Sequence, residues 1–180
     1  RCFEEAFLKA WASLEYGQPH PRPLTMADAS GGESMDERAF EPLPEALLED
    51  WLRVPTDRRM AALFEAFRRG YSIEDVRDMS GGITRWFLHR FENMAAIETE
   101  IRAAGEIGLP PAEVPEAEMR LWKGAGFTDL HIADALAGFP ASGFKLLPEG
   151  ADEFAVTRRR HQLGVHPVFR MVDSCAAEFA

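Results

Sequence analysis

Residues 84–105, TRWFLHRFENMAAIETEIRAAG, are the stretch of sequence that decides the fold. The apolar residues in this stretch recur at steps of three and four, which places them on one face of an α-helix. This predicted buried stripe consists of Phe87, Phe91, Met94, Ile97 and Ile101. Thr84 is a suitable N-cap and Gly105 a suitable terminator, so the stretch predicts one long helix that ends near Ala104.

The same helical spacing recurs in shorter segments on both sides of this long helix. The predicted helices begin near Phe3, Pro44, Thr56, Ser72, Thr84, Pro115, Thr128 and residue 151. Residues 18–43 hold four prolines and a Gly-Gly pair and predict a long irregular loop, and residues 139–150 are also rich in glycine and proline. The chain is therefore predicted to be all-α, an irregular bundle of about seven or eight helices with an extended segment at 165–172.

The composition indicates one globular domain without a nucleic-acid or membrane partner. A length of 180 residues fits one domain, and 46% hydrophobic and 28% charged residues are ordinary for a folded protein. The formal net charge of −10 disfavours phosphate backbones and anionic lipid surfaces. No run of about 18 apolar residues is present to span a membrane. Cys2 and Cys175 lie outside any metal-binding spacing, so we expect two reduced thiols in a cytoplasmic protein.

Aromatic residues are abundant for a chain of this length, with 13 Phe and 4 Trp. Several of them, such as Trp11, Trp51 and Phe40, lie in or beside the less regular N-terminal part, where one core is not expected to cover them all. Large exposed apolar patches usually mark contact surfaces. The sequence therefore predicts self-association, and salt is expected to strengthen it by screening the repulsion between acidic copies.

The sequence carries none of the motifs that usually accompany catalysis. Phosphate-binding glycine loops, a GxSxG nucleophile turn and HExxH metal spacing are all missing. The helical carboxylates that we interpret as solvated faces are Glu98, Glu100, Glu116 and Glu118. Three consecutive arginines at 158–160 fall in the last turn of the final predicted helix, where cations suit the helix dipole. We therefore predict no catalytic, cofactor-binding or metal-binding residue.

Residues 116–138 offer an alternative, a helix-turn-helix of a free-standing DNA-binding or regulatory protein. The segment predicts a helix, a turn that contains glycine and a second helix that would be the recognition helix. This second helix presents Asp129 and Asp134. Two carboxylates beside phosphates are unfavourable, so DNA binding is the less favoured interpretation.

Six short motifs resemble one known family, the helical oligomerization domain in the large subunit of carbamoyl-phosphate synthetase. In chain order the motifs are RCFEEAFLKA at 1–10, GYSIEDV at 70–76, ITRWFL at 83–88, KGAGFTD at 123–129, HPVF at 166–169 and RMVDSCAAEF at 170–179. They are similar to the family patterns R-S-F-E-E-A-L-x-K-A, G-Y-S-V-E-x-I, I-D-x-W-F-L, K-x-x-G-F-S-D, H/R-P-V-Y and K-x-V-D-T-C-A-A-E-F. Each motif is modest alone, but six in the right order are specific, and the departures fall at 18–43 and 139–155.

The resemblance implies a role within a larger enzyme. Large subunits of this family have two ATP-grasp halves that use ATP and Mg or Mn to make carbamoyl phosphate for arginine and pyrimidine synthesis, together with a glutaminase small subunit. The helical domain lies between the halves, has no ATP or metal site and takes part in subunit association. Residues 1–165 would form this domain, and residues 166–180 an extended connector toward the second ATP-grasp half. The chain is thus expected to be a non-catalytic, cytoplasmic piece of a longer ligase.

Overall fold

The computed structural model describes residues 2–14, 19–30, 37–139 and 152–168. Within these ranges it contains nine α-helices and two 3₁₀ helices, and no strand beyond an isolated bridge between Thr25 and Pro42. The α-helices are α1 (Phe3–Ala12), α2 (Met26–Ala29), α3 (Glu45–Arg53), α4 (Arg59–Arg68), α5 (Ile73–Met79), α6 (Arg85–Glu106), α7 (Glu116–Gly124), α8 (Asp129–Leu136) and α9 (Glu153–Gln162). The 3₁₀ helices are Glu37–Phe40 and Pro111–Glu113. The all-α prediction is confirmed, with more helices than the seven or eight expected.

The 22-residue helix α6 is the centre of the fold. It packs against α1, α4, α5 and α8, which share one hydrophobic core around it. The residues that α6 buries are Leu88, Phe91, Met94, Ala95, Ile97, Glu98 and Ile101. The predicted stripe is confirmed except at Phe87, which is 44% exposed and lies in the first turn of the helix. Leu88, one position further along, enters the core instead.

Helix α4 starts later than the sequence indicates. The carbonyl of the predicted N-cap, Thr56, accepts the backbone N–H of Arg59 in a turn, and the helix begins at Arg59. Met60 therefore lies in the first turn of α4 and is 40% exposed. The later residues of the same stripe are buried, namely Leu63, Phe64 and Phe67.

Two of the three aromatic residues that we expected to be uncovered are buried. Trp11 and Trp51 are each 7% exposed, whereas Phe40 is 44% exposed, as predicted. The Trp11 ring packs against Phe7 on its own helix and against Phe64 on α4. The N-terminal part therefore shares its aromatic packing with the central core.

Within the described residues of 18–43, the predicted irregular loop contains a four-residue helix, a four-residue 3₁₀ helix and an isolated bridge. Thr25 precedes α2, and its backbone N–H donates to the Asp28 carboxylate at 2.8 Å. The N–H of Leu43 donates to the carbonyl of Leu24 at 3.0 Å, and both leucines are buried in the core. This segment is held in place because Leu24 and Leu43 enter a core built by distant helices. Local periodicity does not predict such long-range contacts. The stretch 140–150 lies outside the described residues.

Two predicted N-caps are confirmed by side-chain hydrogen bonds. The hydroxyl of Ser72 accepts the N–H of Asp75 at 3.1 Å, and the Asp75 carboxylate accepts the Ser72 N–H at 3.1 Å. The hydroxyl of Thr128 accepts the N–H of His131 at 3.0 Å. Pro115, predicted at the first helical position, is instead the N-cap of α7. The two side-chain caps fix where α5 and α8 begin.

Gly105 does not end the long helix, as the sequence suggested, but lies inside α6. A Cβ atom at this position would lie 2.0 Å from the backbone oxygen of Leu136, at the end of α8. The absence of a side chain therefore allows the backbones of α6 and α8 to approach each other.

We predict that Gly105→Ala lowers the free energy of unfolding by about 1–3 kcal/mol, the usual cost of forcing extra atoms into a packed core. Urea denaturation of both chains measures it. Gly124→Ala is the matched control, because Gly124 also lies in a helix but a Cβ there meets nothing within 4 Å. That variant should gain about 0.5–1 kcal/mol from helix propensity. Equal stability of the two variants would contradict the proposed close approach.

Candidate functional site

Three polar side chains meet in the core between α4, α6 and α8. Arg68 on α4 donates from Nε and Nη2 to the two carboxylate oxygens of Glu98 on α6, at 2.5 and 2.7 Å. The second oxygen of Glu98 also lies 3.1 Å from Nε2 of His131 on α8. The side chains of Arg68, Glu98 and His131 are 4%, 1% and 1% exposed. We call these three residues the buried charge cluster.

The cluster extends to the segment that precedes α2. The His20 ring stacks on the His131 ring, with 4.3 Å between ring centroids and 9° between the planes. On its other side, Nε2 of His20 lies 3.1 Å from Oδ2 of Asp134, one turn further along α8. His20 thereby attaches residues 19–30 to α8.

Glu65 on α4 makes a second attachment for the same segment. Its Oε2 accepts the backbone N–H of Leu24 at 3.1 Å. Its carboxylate also pairs with Nε of Arg69 at 2.8 Å and lies 3.6 Å from Nη1 of Arg68. The Glu65 carboxylate therefore joins residues 19–30 to the buried charge cluster.

The cluster is an ion pair with a neutral histidine at pH 7. Burial disfavours the charged form of Glu98, but Arg68 and the hydrogen bond from His131 outweigh it and lower the pKa of Glu98 to about 2. Burial likewise opposes the charge on Arg68, and the neighbouring Glu98 and Glu65 carboxylates raise its pKa. Burial lowers the pKa of His131 to about 4 against the attraction of Glu98. The neutral ring therefore donates its Nε2 proton to Glu98.

The geometry of the cluster favours packing over catalysis. A general acid or base must reach its substrate, and Glu98 and His131 are each 1% exposed in their side chains. A buried charge requires a partner in the protein, and Arg68 and Glu98 supply one to each other. Among the residues that the structure describes, no group of three or more His, Cys, Asp or Glu side chains could hold a metal ion.

The interpretation of Glu98 as part of a solvated face is wrong. Glu98 follows Met94 by four residues and precedes Ile101 by three, so it lies on the buried stripe itself. That spacing is the signal that could have identified it. The other carboxylates interpreted in the same way are exposed, namely Glu100, Glu116 and Glu118.

A second group of ion pairs joins α7, α8 and α9. The Asp129 carboxylate pairs with Nζ of Lys123 at 2.8 Å and with Nε of Arg160 at 3.0 Å, and accepts the Thr157 hydroxyl at 2.9 Å. Burial opposes the charge on Asp129, but these donors lower its pKa. Arg159 donates to the carbonyl of Val114 at 2.8 Å. Two of the three arginines at 158–160 thus bond within the chain.

The structure does not support the helix-turn-helix alternative. The helix that would enter the DNA groove, α8, is buried at Asp129, His131, Ile132, Ala133, Ala135 and Leu136. A recognition helix must expose its face to base edges. The α8 face is instead covered by α6 and α9.

The two cysteines and the C-terminal extended segment are the remaining features singled out in the sequence. Cys2 is free and exposed, and its sulfur accepts the N–H of Glu5 at the start of α1, while Cys175 lies outside the described residues. Residues 165–168 are non-helical, in keeping with the predicted extended segment, and 169–172 lie outside the described part. A cleft of about 800 Å³ between α1, α7 and this segment is lined by cations such as Lys9, which already pairs with Glu5 at 2.6 Å.

Aromatic side chains form an exposed group at the start of α6. The Phe3 ring lies edge-on to Trp86 and Phe87, with centroids 5.5 and 5.7 Å away, and those two rings are 5.0 Å apart. Trp86 is 51% exposed and Phe87 is 44% exposed. The Arg90 guanidinium lies 5.4 Å from the centroid of the Trp86 ring. We call Phe3, Trp86 and Phe87 the aromatic patch.

A helical domain with its polar groups committed to packing and with aromatic residues exposed belongs to the class of association modules. Comparison with known proteins specifies the class. Residues 1–164 match the family described as carbamoyl-phosphate synthetase large chain, oligomerisation domain. The chain belongs to this family, which confirms the resemblance seen in the six motifs.

The similar curated proteins are much longer than this chain. It is 32% identical over 180 residues to the carbamoyl phosphate synthase large chain of Methanothrix thermoacetophila, covering all of this chain and 13% of that protein. It is 33% identical over 180 residues to the large chain of Xanthomonas campestris, covering 14% of it. It is 37% identical over 141 residues to the arginine-specific large chain, mitochondrial, of Schizosaccharomyces pombe, covering 78% of this chain and 11% of that protein.

We predict that Glu98→Gln lowers the free energy of unfolding by about 3–5 kcal/mol, the usual cost of leaving one member of a buried ion pair without its partner. Glu100→Gln is the control, because Glu100 lies on the same helix but is exposed. It should change the free energy by less than about 0.5 kcal/mol. Similar losses in the two variants, measured by urea denaturation, would contradict the role given to Glu98.

Stability should fall as the pH is lowered from 6.5 to about 4. In this window the unfolded chain protonates His131 near its ordinary pKa of 6.5, whereas the folded chain resists protonation until about 4. The unfolded state then binds more protons, so acid favours it, by roughly 3 kcal/mol for a shift of this size. Urea denaturation at several pH values measures the slope.

The slope should become shallower in His131→Gln and stay the same in His89→Gln, whose histidine has a 57% exposed side chain. Below pH 4.5 the loss should continue, because Glu98 ionises at about 2 in the folded chain and near 4.5 when unfolded. An unchanged slope in His131→Gln would show that other groups cause the acid sensitivity.

Proposed function

We propose that this domain is a structural module that helps assemble a glutamine-hydrolysing carbamoyl phosphate synthase. It would act by self-association and by contact with the two ATP-grasp halves beside it, with the glutaminase small subunit as a further partner of the parent enzyme. ATP and Mg or Mn would be used by those halves, and the domain itself would hold no cofactor. We place the enzyme in the cytoplasm, producing carbamoyl phosphate for arginine and pyrimidine synthesis.

The observation that carries this proposal is the family match over residues 1–164, whose description is an oligomerisation domain. The surface supports the proposal. Although the core is well covered, many large apolar side chains remain at least 40% exposed. These residues are Leu14, Phe40, Val54, Met60, Trp86, Phe87, Ile107, Leu121, Phe154 and Val168. Among them, the Trp86 and Phe87 rings are adjacent, and contiguous exposed apolar surface of this kind favours a domain that is covered by partners. No helix in the described ranges has the length and hydropathy to cross a membrane.

We predict that the 180-residue chain self-associates and that association strengthens as salt rises. Each copy carries a net charge of −10, and salt screens this repulsion above about 0.1 M while leaving apolar contact intact. Sedimentation equilibrium across a salt series measures it. A strict monomer at high protein and salt concentrations would mean that the isolated domain is insufficient. Dissociation as salt rises would mean that charge pairing holds the contact.

A further inference from the structure

We infer that residues 19–24 form a strap that acid releases from the helices beneath it, with the stacked rings of His20 and His131 as the proton-sensitive contact. Such an opening lies beyond the proposed function, because it occurs within the domain and needs no partner. Release would expose one face of the His131 ring, beside the buried charge cluster, while the helices stay folded.

The strap is held by contacts at its two ends and not by a helix of its own. It lies outside the described helices, so it has none of the repeated backbone hydrogen bonds of a helix. At one end the His20 ring stacks on α8, and its Nε2 lies 3.1 Å from Asp134. At the other end the N–H of Leu24 donates to Glu65 at 3.1 Å, and its carbonyl accepts the N–H of Leu43 at 3.0 Å. A segment attached in this way opens more readily than the helical core.

One ring nitrogen of His20 is buried without a hydrogen-bond partner. The residue is 6% exposed and its Nε2 faces Asp134, whereas Nδ1 has no partner among the residues that the structure describes. An unpartnered buried polar atom costs free energy, and release of the strap recovers it because water can then reach Nδ1. The closed strap thus carries a cost that favours its release.

The stacked rings disfavour two added protons. Their centroids are 4.3 Å apart, and the side chains of His20 and His131 are 6% and 1% exposed. Positive charges this close repel strongly where water is excluded. Once the strap is released the rings separate, and each can take up a proton on its own. Acid therefore favours release whichever ring is protonated first, including His20 beside Asp134.

Charged groups on three helices surround the stacked rings. They are Glu65 and Arg68 of α4, Glu98 of α6 and Asp134 of α8. Burial is the largest cause that lowers the pKa of His131, to about 4, and it acts against the attraction of Glu98. The charges of His20 and Arg68 lower this pKa further. Removal of the strap takes away the His20 ring and lets water reach His131, so its pKa rises toward 6.5. Release therefore takes up a proton between pH 6.5 and about 4, and acid favours it.

Amide hydrogen exchange of the 180-residue chain at pH values from about 6.5 to about 5 tests the strap. The reporter is the N–H of Leu24, which donates to Glu65 while the strap is closed. Met94, fully buried at the centre of α6, is the reference for opening of the core. After correction for intrinsic rates, we expect Leu24 protection to fall several-fold per pH unit, up to about tenfold for each proton taken up. Leu24 should also be less protected than Met94 throughout, and low urea should leave its exchange unchanged. Equal protection of the two amides at every pH would overturn the inference, because the strap would then open only with the whole domain.

His131→Phe removes the titrating ring but keeps an aromatic face against His20. Leu24 protection should then lose most of its dependence on pH. His89→Phe is the matched control, since His89 lies on α6 with a 57% exposed side chain and should leave the dependence as it is. An unchanged dependence in His131→Phe would overturn the inference.

His20→Gln gives a second measurement that leaves the buried charge cluster intact. Glutamine loses the stacked ring but keeps an amide that can reach Asp134. At pH 7, Leu24 protection should fall several-fold, whereas Met94 should keep its protection. Unchanged Leu24 protection would overturn the inference, because the stacked ring would then not hold the strap. A parallel loss at Met94 would do the same, since His20 would then support the whole core.

Discussion

The rest of the structure depends on neutralising one positive charge, that of Arg68, in the core. A guanidinium with a 4% exposed side chain cannot rely on water, so both carboxylate oxygens of Glu98 must face it. A two-point contact tolerates little sliding, which fixes the register of α4 on α6. His131 then occupies the remaining side of Glu98 and fixes α8. We expect these directional contacts to select one packing among those that apolar side chains alone would permit.

Helix α8 shows how this selection extends outward from the cluster. Its first residue, Asp129, is clamped by cations from α7 and α9, and its last residue, Leu136, lies against the backbone of Gly105. The stacked ring of His20 and its contact with Asp134 then hold the segment before α2 on the same helix. Although α7 and α8 have helix-turn-helix spacing in the sequence, these contacts therefore hold α8 in the interior. The spacing alone does not distinguish a groove-binding helix from a core helix.

The sequence predicted what local periodicity encodes and missed what distant contacts decide. The stripe of α6 from Phe91 to Ile101 and the caps Ser72 and Thr128 follow from residues three or four apart, and the structure has them as expected. The prediction that Glu98 is solvated was wrong because it followed the residue type, although the sequence places Glu98 on the apolar stripe. The stacking of His20 on a histidine more than 100 residues away leaves no trace in local spacing. The ends of helices were also harder to predict. Gly105 is a residue type that usually ends a helix, but here it lies inside α6 and allows a close approach to the backbone of Leu136.

The same rigidity that closes the interior explains why one end of α6 can remain open. An exposed aromatic group on a loosely packed helix would collapse onto the core, and the patch would not persist. Here Phe91, one turn beyond Phe87, is fixed among buried rings, and the register of α6 is set by Glu98. Contacts further along α6 therefore fix the position of its first turn. A surface presented in this way is ready to bind without rearrangement, which is what a domain that joins others requires. The buried charge thus fixes the position of the helix whose first turn exposes the aromatic patch.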